Sequence, residues 1–308
     1  MAISALETLK RYSAIFAILL FAWVIWTQRE QFAAALARLD VPVAAVAIVL
    51  AVPLCFLWSE GWRRILLAMG AEISASASAR IWIVSSVSRY IPGGIWSYLS
   101  RGLMASEAGL RTETVVLSMY VETLLIASSS LAVGLGVFTA SAQTTIPPWS
   151  ALIVLAVSGL LLHPCALRQL ARIPGPIGRI AREARVPPGR SIWWLFVLYC
   201  GCWLLWGVAF AVLAHAVAGF SLTQALAIGS SFVLAYFVGY VTFIVPGGAG
   251  VREGALFVLL TASLPEGQSL LLATASRLWL IACEVIAFCA VLPIRIRVST
   301  VEAQRPRL

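Results

Sequence analysis

Arg252 and Glu253 stand side by side in an apolar stretch, directly after Pro246, Gly247, Gly248 and Gly250. Two opposite charges at hydrocarbon depth either neutralise each other or hold a charged group that belongs to something else. The residues before them set the backbone they stand on. Proline removes a backbone donor and clashes with the preceding turn, and glycines strip away side-chain cover, so a helix breaks here. Broken backbone survives at membrane depth only where protein or a wet cavity lines it. The same punctuation occurs at Pro92, Gly93 and Gly94, flanked by Arg89, Tyr90 and Trp96, with Arg101 further on. Matched interruptions in two halves of a hydrophobic chain point to a transporter-type binding site.

A new helix is expected after each break, with its first N–H groups unpaired, and two such ends converging at mid-membrane make a positively polarised anion site. Arg252 faces the unfavourable end of that dipole, so something negative must offset it. Glu253 projects about a third of a turn away, which leaves Arg252, Arg101 and Arg277 all open as its partner. Arg89, Arg101, Arg252 and Arg277 against Glu122, Glu253 and Glu284 make four cations and three anions at or near membrane depth. Each uncompensated charge at the bilayer centre costs at least ~2.5–3.5 kcal/mol. That imbalance suits one bound anionic group such as a lipid phosphate; the competing reading is that the charges pair and only fix helix packing. Trp96, Tyr90 and Trp279 read first as packing or interfacial anchors, and Ser85, Ser86, Ser88 and residues 128–130 as small residues that let helices approach.

The elements that must position these residues follow from composition. Of 308 residues, 61% are hydrophobic and 11% charged, with a mean hydropathy of +0.95; soluble domains run at roughly 45–50% and about 25%. The expected fold is an all-α polytopic membrane protein, a single membrane domain over residues 1–308. Its net charge of +9 lies mostly in loops and reads as topology and contact with anionic headgroups, not nucleic-acid binding. No phosphate-binding loop, dinucleotide fingerprint or Ser/His/Asp set is visible, and the six cysteines and two histidines lack metal spacing, so no cofactor or metal is expected.

Six spans are expected, at residues 13–27, 43–58, 112–138, 149–162, 191–217 and 268–292, with two broken re-entrant hairpins at 72–104 and 222–264. Residues 163–190, rich in arginine and proline, form a basic cytoplasmic linker. Parity then opens the first hairpin from inside and the second from outside. Residues 43–138 and 191–292 become two inverted repeats, with both termini cytoplasmic. The arm at 222–245 is also long enough to cross fully, which leaves the parity unchanged.

Arg89 to Trp96, then Arg101, Gly109 and Glu122, then Val245 to Gly254 and the pair Arg277-Leu278 resemble the lysylphosphatidylglycerol synthase/flippase transmembrane family over nearly the whole chain. The resemblance implies a bacterial inner-membrane protein that moves a polar lipid between leaflets. It points to Pro92, Gly93, Trp96, Arg101 and Glu122 in the first half, and to Pro246, Gly247, Gly248, Gly250, Arg252, Glu253 and Arg277 in the second. Gly94 stands where many members carry a basic residue, so the headgroup stays open. The soluble aminoacyl-transfer domain of fused members is missing from these 308 residues, which argues against lipid aminoacylation.

The expected function is therefore a lipid flippase or lipid-linked-precursor translocase, with the headgroup held by Arg252, Arg101 and Arg277. Glu122 and Glu253 position the arginines or carry a coupling proton, and Trp96 lies beside them. The alternatives are an integral-membrane transferase acting on a lipid-linked substrate and a non-transporting scaffold for envelope lipid biosynthesis. Expected partners are a membrane lipid and anionic headgroups at the cytoplasmic face; envelope-biosynthesis enzymes and a second copy of the chain are admissible partners, and nucleic acid is not.

Overall fold

The computed structural model describes residue 37 and residues 40–91, 95–141, 146–147, 149–169, 172–218, 220, 222–242 and 250–294. Both Pro-Gly-Gly motifs (92–94 and 246–248), the first expected span (13–27) and the basic tail beyond 294 lie outside the described residues.

Every regular element among the described residues is helical. Helix α1 (Val41–Ala68) begins at Asp40, whose carboxylate caps the Val43 N–H at 3.2 Å, and ends at Gly70 in the left-handed region (φ +82°). There the Ala71 N–H returns to Leu66 O at 2.9 Å, the closing bond of a glycine-terminated helix. Ser74 caps α2 (Ala75–Val87), which runs into a 3₁₀ turn, Ser88–Tyr90. Helix α3 (Trp96–Glu107) closes on Gly109 (φ +88°) in the manner of α1. Helix α4 (Thr112–Ser141) is followed by α5 (Ser150–Leu162), then short α6 (Pro164–Gln169) and α7 (Pro176–Glu183) in the basic linker. The second half contains α8 (Gly189–Ala218), α9 (Leu222–Val241), α10 (Val251–Leu260) and α11 (Glu266–Val291).

Five of these helices are long and apolar enough to cross a membrane: Val41–Ala68, Thr112–Ser141, Gly189–Val217, Gln224–Val241 and Glu266–Val291. Four coincide with expected spans; the fifth is the first arm of the second hairpin, the arm whose length allows a crossing. Ser150–Leu162, expected as a span, has 13 residues and is about 20 Å long, short of a ~30 Å hydrocarbon core. The arms α2 and α3 have 13 and 12 residues.

The two halves interlock, for α1 packs most heavily on α8 and α4 on α9. When α1, α2, α3 and α4 are exchanged for α8, α9, α10 and α11, each substantial contact among the eight maps onto another: α4–α9 onto α11–α2, α4–α8 onto α11–α1, α2–α3 onto α9–α10. At the α8–α9 crossing the backbones nearly touch, and a Cβ on Gly229 would meet Gly207 O at 2.7 Å. Ser85, Ser86, Ser128, Ser129 and Ser130 return their hydroxyls to carbonyls of their own helices. That satisfies them where no water competes.

Candidate functional site

Three charged clusters meet where the halves face each other. In the first, Arg101 of α3 and Glu122 of α4 are 7% and 3% exposed. Arg101 Nη1 donates to Glu122 Oε2, and Oε1 accepts from Trp82 Nε1 at 2.8 Å and Tyr199 OH at 3.4 Å. Arg101 Nε donates to Ser85 Oγ at 3.3 Å, and its guanidinium lies 5.4 Å and 5.2 Å from the ring centres of Trp62 and Trp82. Those ring faces attract the cation. Helices α1, α2, α3, α4 and α8 thus converge on one buried ion pair.

The second cluster stands at the start of α10. Gly250, at φ +80°, turns the chain into the helix through a conformation that favours glycine. Its N–H donates to Glu253 Oε2 at 2.6 Å, so a carboxylate covers the positive helix end. The other oxygen, Oε1, accepts from Arg252 Nη2 at 2.9 Å and from Arg277 Nη1 of α11 at 3.1 Å. Arg252 reaches its neighbour although consecutive helical side chains diverge by about 100°. The stem of Arg252 passes over Gly239 of α9, where a Cβ would meet Arg252 Cβ at 2.8 Å. Arg252 Nε is buried with no hydrogen-bond partner among the described residues.

The third cluster joins the 3₁₀ turn to α11. Tyr90 OH donates to Glu284 Oε2 at 2.8 Å, and Arg89 Nη2 stands 3.6 Å from Glu284 Oε1, beyond hydrogen-bond length. Arg89 is steadied instead by Nε to Ser86 O at 2.8 Å and Nη1 to Tyr236 OH at 3.2 Å. Arg277 completes the circle with its guanidinium 5.8 Å from the Tyr90 ring centre.

Between the clusters lies a cavity of about 140 Å³ whose wall includes Arg89, Arg101, Arg252 and Arg277 with Glu122 and Glu284. Drug-sized ligands occupy roughly 300–1,000 Å³, so this space suits a small polar group and not a drug-sized molecule. Tyr98 and Tyr240 line it too, their hydroxyls held to each other at 3.2 Å and to Thr123 at 3.1 Å and 3.3 Å. The clusters share four guanidiniums among three carboxylates: Glu122 takes Arg101, Glu284 faces Arg89, and Glu253 serves both Arg252 and Arg277.

The structure thus brings Arg101, Glu122, Arg252, Glu253 and Arg277 into one polar core. Trp96 opens α3 half-buried and is not in the cavity wall. Pro92, Gly93, Gly94, Pro246, Gly247 and Gly248 are outside the described residues, while Gly250 is the N-cap. Sequence reasoning named Arg89, Tyr90 and Glu284 only as residues near membrane depth or as anchors, and passed over Tyr98, Tyr236 and Tyr240. One signal was available. Arg277 and Glu284 are seven positions apart, and Tyr236 and Tyr240 four, so each pair shares a helix face.

A charged cavity enclosed by long apolar helices defines a multi-pass α-helical membrane protein with an internal polar site. The chain belongs to a family described as the lysylphosphatidylglycerol synthase TM region, which it matches over residues 13–285. No curated protein sequence matches it.

Proposed function

We propose that this chain moves a lipid with a phosphate-bearing headgroup between the leaflets of a bacterial inner membrane. The observation that carries this reading is the shared Glu253. One carboxylate serves two guanidiniums that line the cavity, and the buried Arg252 Nε has no partner among the described residues. An unpaired buried donor on a charged group is costly, and a phosphate oxygen satisfies it with a charge-assisted bond. Arg252 and Arg277 take the phosphate, while Arg101, neutralised by Glu122, shapes the wall. The family's description, which names a membrane region associated with a phospholipid, supports the same class of substrate.

The exchange of contacts between α1–α4 and α8–α11 supports reading the halves as inverted repeats, with α2–α3 and α9–α10 as hairpins that meet at the cavity. The basic residues of the linker at 163–190 support a cytoplasmic position for it and for both termini. Binding tests the reading. Titration of the purified chain with dihexanoylphosphatidylglycerol in uncharged detergent is expected to shift the fluorescence of Trp58, Trp82 and Trp203, which line the cavity. Arg252→Ala is expected to abolish the shift, and an equal shift in that variant overturns the site.

A further inference from the structure

A second, smaller cavity adjoins the first, and the two share Trp58, Trp82, Ser86, Arg89, Trp203 and Glu284 in their walls, among others. Its volume is about 30 Å³, room for a water or two. Leu280 and Ala287 of α11 line it, whereas the first cavity reaches Arg277 of the same helix. Both cavities touch Glu284, and from there to Ala287 a helix rises about 4.5 Å, so the second cavity extends just under one turn further along a spanning helix, the direction in which a headgroup must travel. Glu284 sits between, and its pair with Arg89 is the longest of those in the three clusters, 3.6 Å against 2.9 Å and 3.1 Å at Glu253.

The wall of the second cavity also carries two indoles, Trp203 and Trp206, that are 1% and 5% exposed. Their Nε1–H groups are buried without a partner among the described residues, as is that of Trp279, which lines neither cavity. Buried donors in folded proteins are paired as a rule, and exceptions call for a reason. We propose that the second cavity is a second station for the phosphate-bearing headgroup: the Arg89–Glu284 pair is the partition between stations, and the Trp203 and Trp206 N–H groups are the donors that receive the phosphate oxygens once it parts. An anion in the first cavity competes with Glu284 for Arg89, whose Nη2 makes only the long contact, and so loosens the partition. The widening is required because the second cavity as it stands is too small for a headgroup. This inference rests on the proposed headgroup site.

The test uses the full chain in phosphatidylcholine vesicles, with transbilayer movement of fluorescent phosphatidylglycerol read by dithionite quenching and binding of dihexanoylphosphatidylglycerol read by calorimetry. Trp206→Phe is expected to bind as wild type and move lipid about tenfold more slowly, the scale of one lost hydrogen bond, without loss of thermal stability. If the indole N–H is only structural, for instance resting on the Trp279 ring 5.5 Å away, Trp206→Phe moves lipid at the wild-type rate, which overturns the station. Trp279→Phe, outside both cavities, is expected to move lipid normally. A loss of binding in Trp206→Phe equal to its loss of rate also overturns the station but leaves the headgroup site standing; no movement by wild type overturns both. A second readout does not depend on that variant. Cys55 lines the second cavity and is 6% exposed, so in a chain with its other cysteines replaced by serine, a charged methanethiosulfonate is expected to react with it faster when dihexanoylphosphatidylglycerol is present. An unchanged rate contradicts the opening.

Discussion

Arg252 and Arg277, 25 positions apart on α10 and α11, donate to the same oxygen of Glu253, Oε1, at 2.9 Å and 3.1 Å. A single carboxylate oxygen between two guanidiniums leaves positive charge to be met from outside the protein. Loss of either arginine is therefore expected to leave a neutral Glu253 pair and a cavity with weakened hold on an anion. Arg277→Ala should leave Glu253 paired with Arg252 within α10 and raise the Kd for dihexanoylphosphatidylglycerol by at least about tenfold, about 1.4 kcal/mol. Calorimetric titration checks it, and an unchanged Kd removes Arg277 from the site.

The opposite outcome is expected at Arg101 and Glu122. Each is buried and the pair is enclosed by Trp62, Trp82 and Tyr199. Removing one partner strands a buried charge, at about 3–5 kcal/mol. Arg101→Ala and Glu122→Ala should each lower the midpoint of thermal unfolding in detergent sharply, and the double variant should cost much less than the sum of the two. Additive losses would show that the residues do not act as a pair.

Gly239 gives a subtler handle on Arg252. A methyl group there meets Arg252 Cβ at 2.8 Å, and a Cβ moves only with its backbone, so Gly239→Ala must shift the start of α10 and carry Arg252 with it while removing no charge. Lipid movement is expected to fall severalfold with the fold intact. Gly102→Ala, where the added Cβ meets nothing within 4 Å, is expected to move lipid as wild type. Equal rates in the two variants would mean that the position of Arg252 is immaterial.

The α8–α9 crossing tests packing alone. A methyl on Gly229 meets the Gly207 carbonyl oxygen at 2.7 Å, and backbone cannot swing away as a side-chain tip does. Gly229→Ala is expected to destabilise by about 1–3 kcal/mol through overpacking, read as a lowered unfolding midpoint. A neutral effect would show that the helices separate freely there.

What the sequence disclosed was local. Unbroken apolar runs made α1, α4, α8 and α11 readable, because a span is a property of consecutive residues. Helix α1 runs on past the expected span at 43–58 to Ala68, for Arg63 and Arg64 both pair with Glu60 at i,i+3 and i,i+4, so these charges decorate the helix instead of ending it. The count of four arginines against three glutamates was legible too. Their pairing was not: Trp82 reaches Glu122 across 40 positions and Tyr90 reaches Glu284 across 194, and no periodicity encodes such partners. Of the three candidates open for Glu253, two turned out to share it, while Arg101 lies with Glu122.

The most direct measurement is the rate at which fluorescent phosphatidylglycerol crosses the bilayer of vesicles containing wild type or Arg252→Ala, each shown folded by its unfolding midpoint. The account predicts protein-dependent crossing with wild type and the protein-free rate with Arg252→Ala. Equal, protein-dependent crossing with both would contradict it.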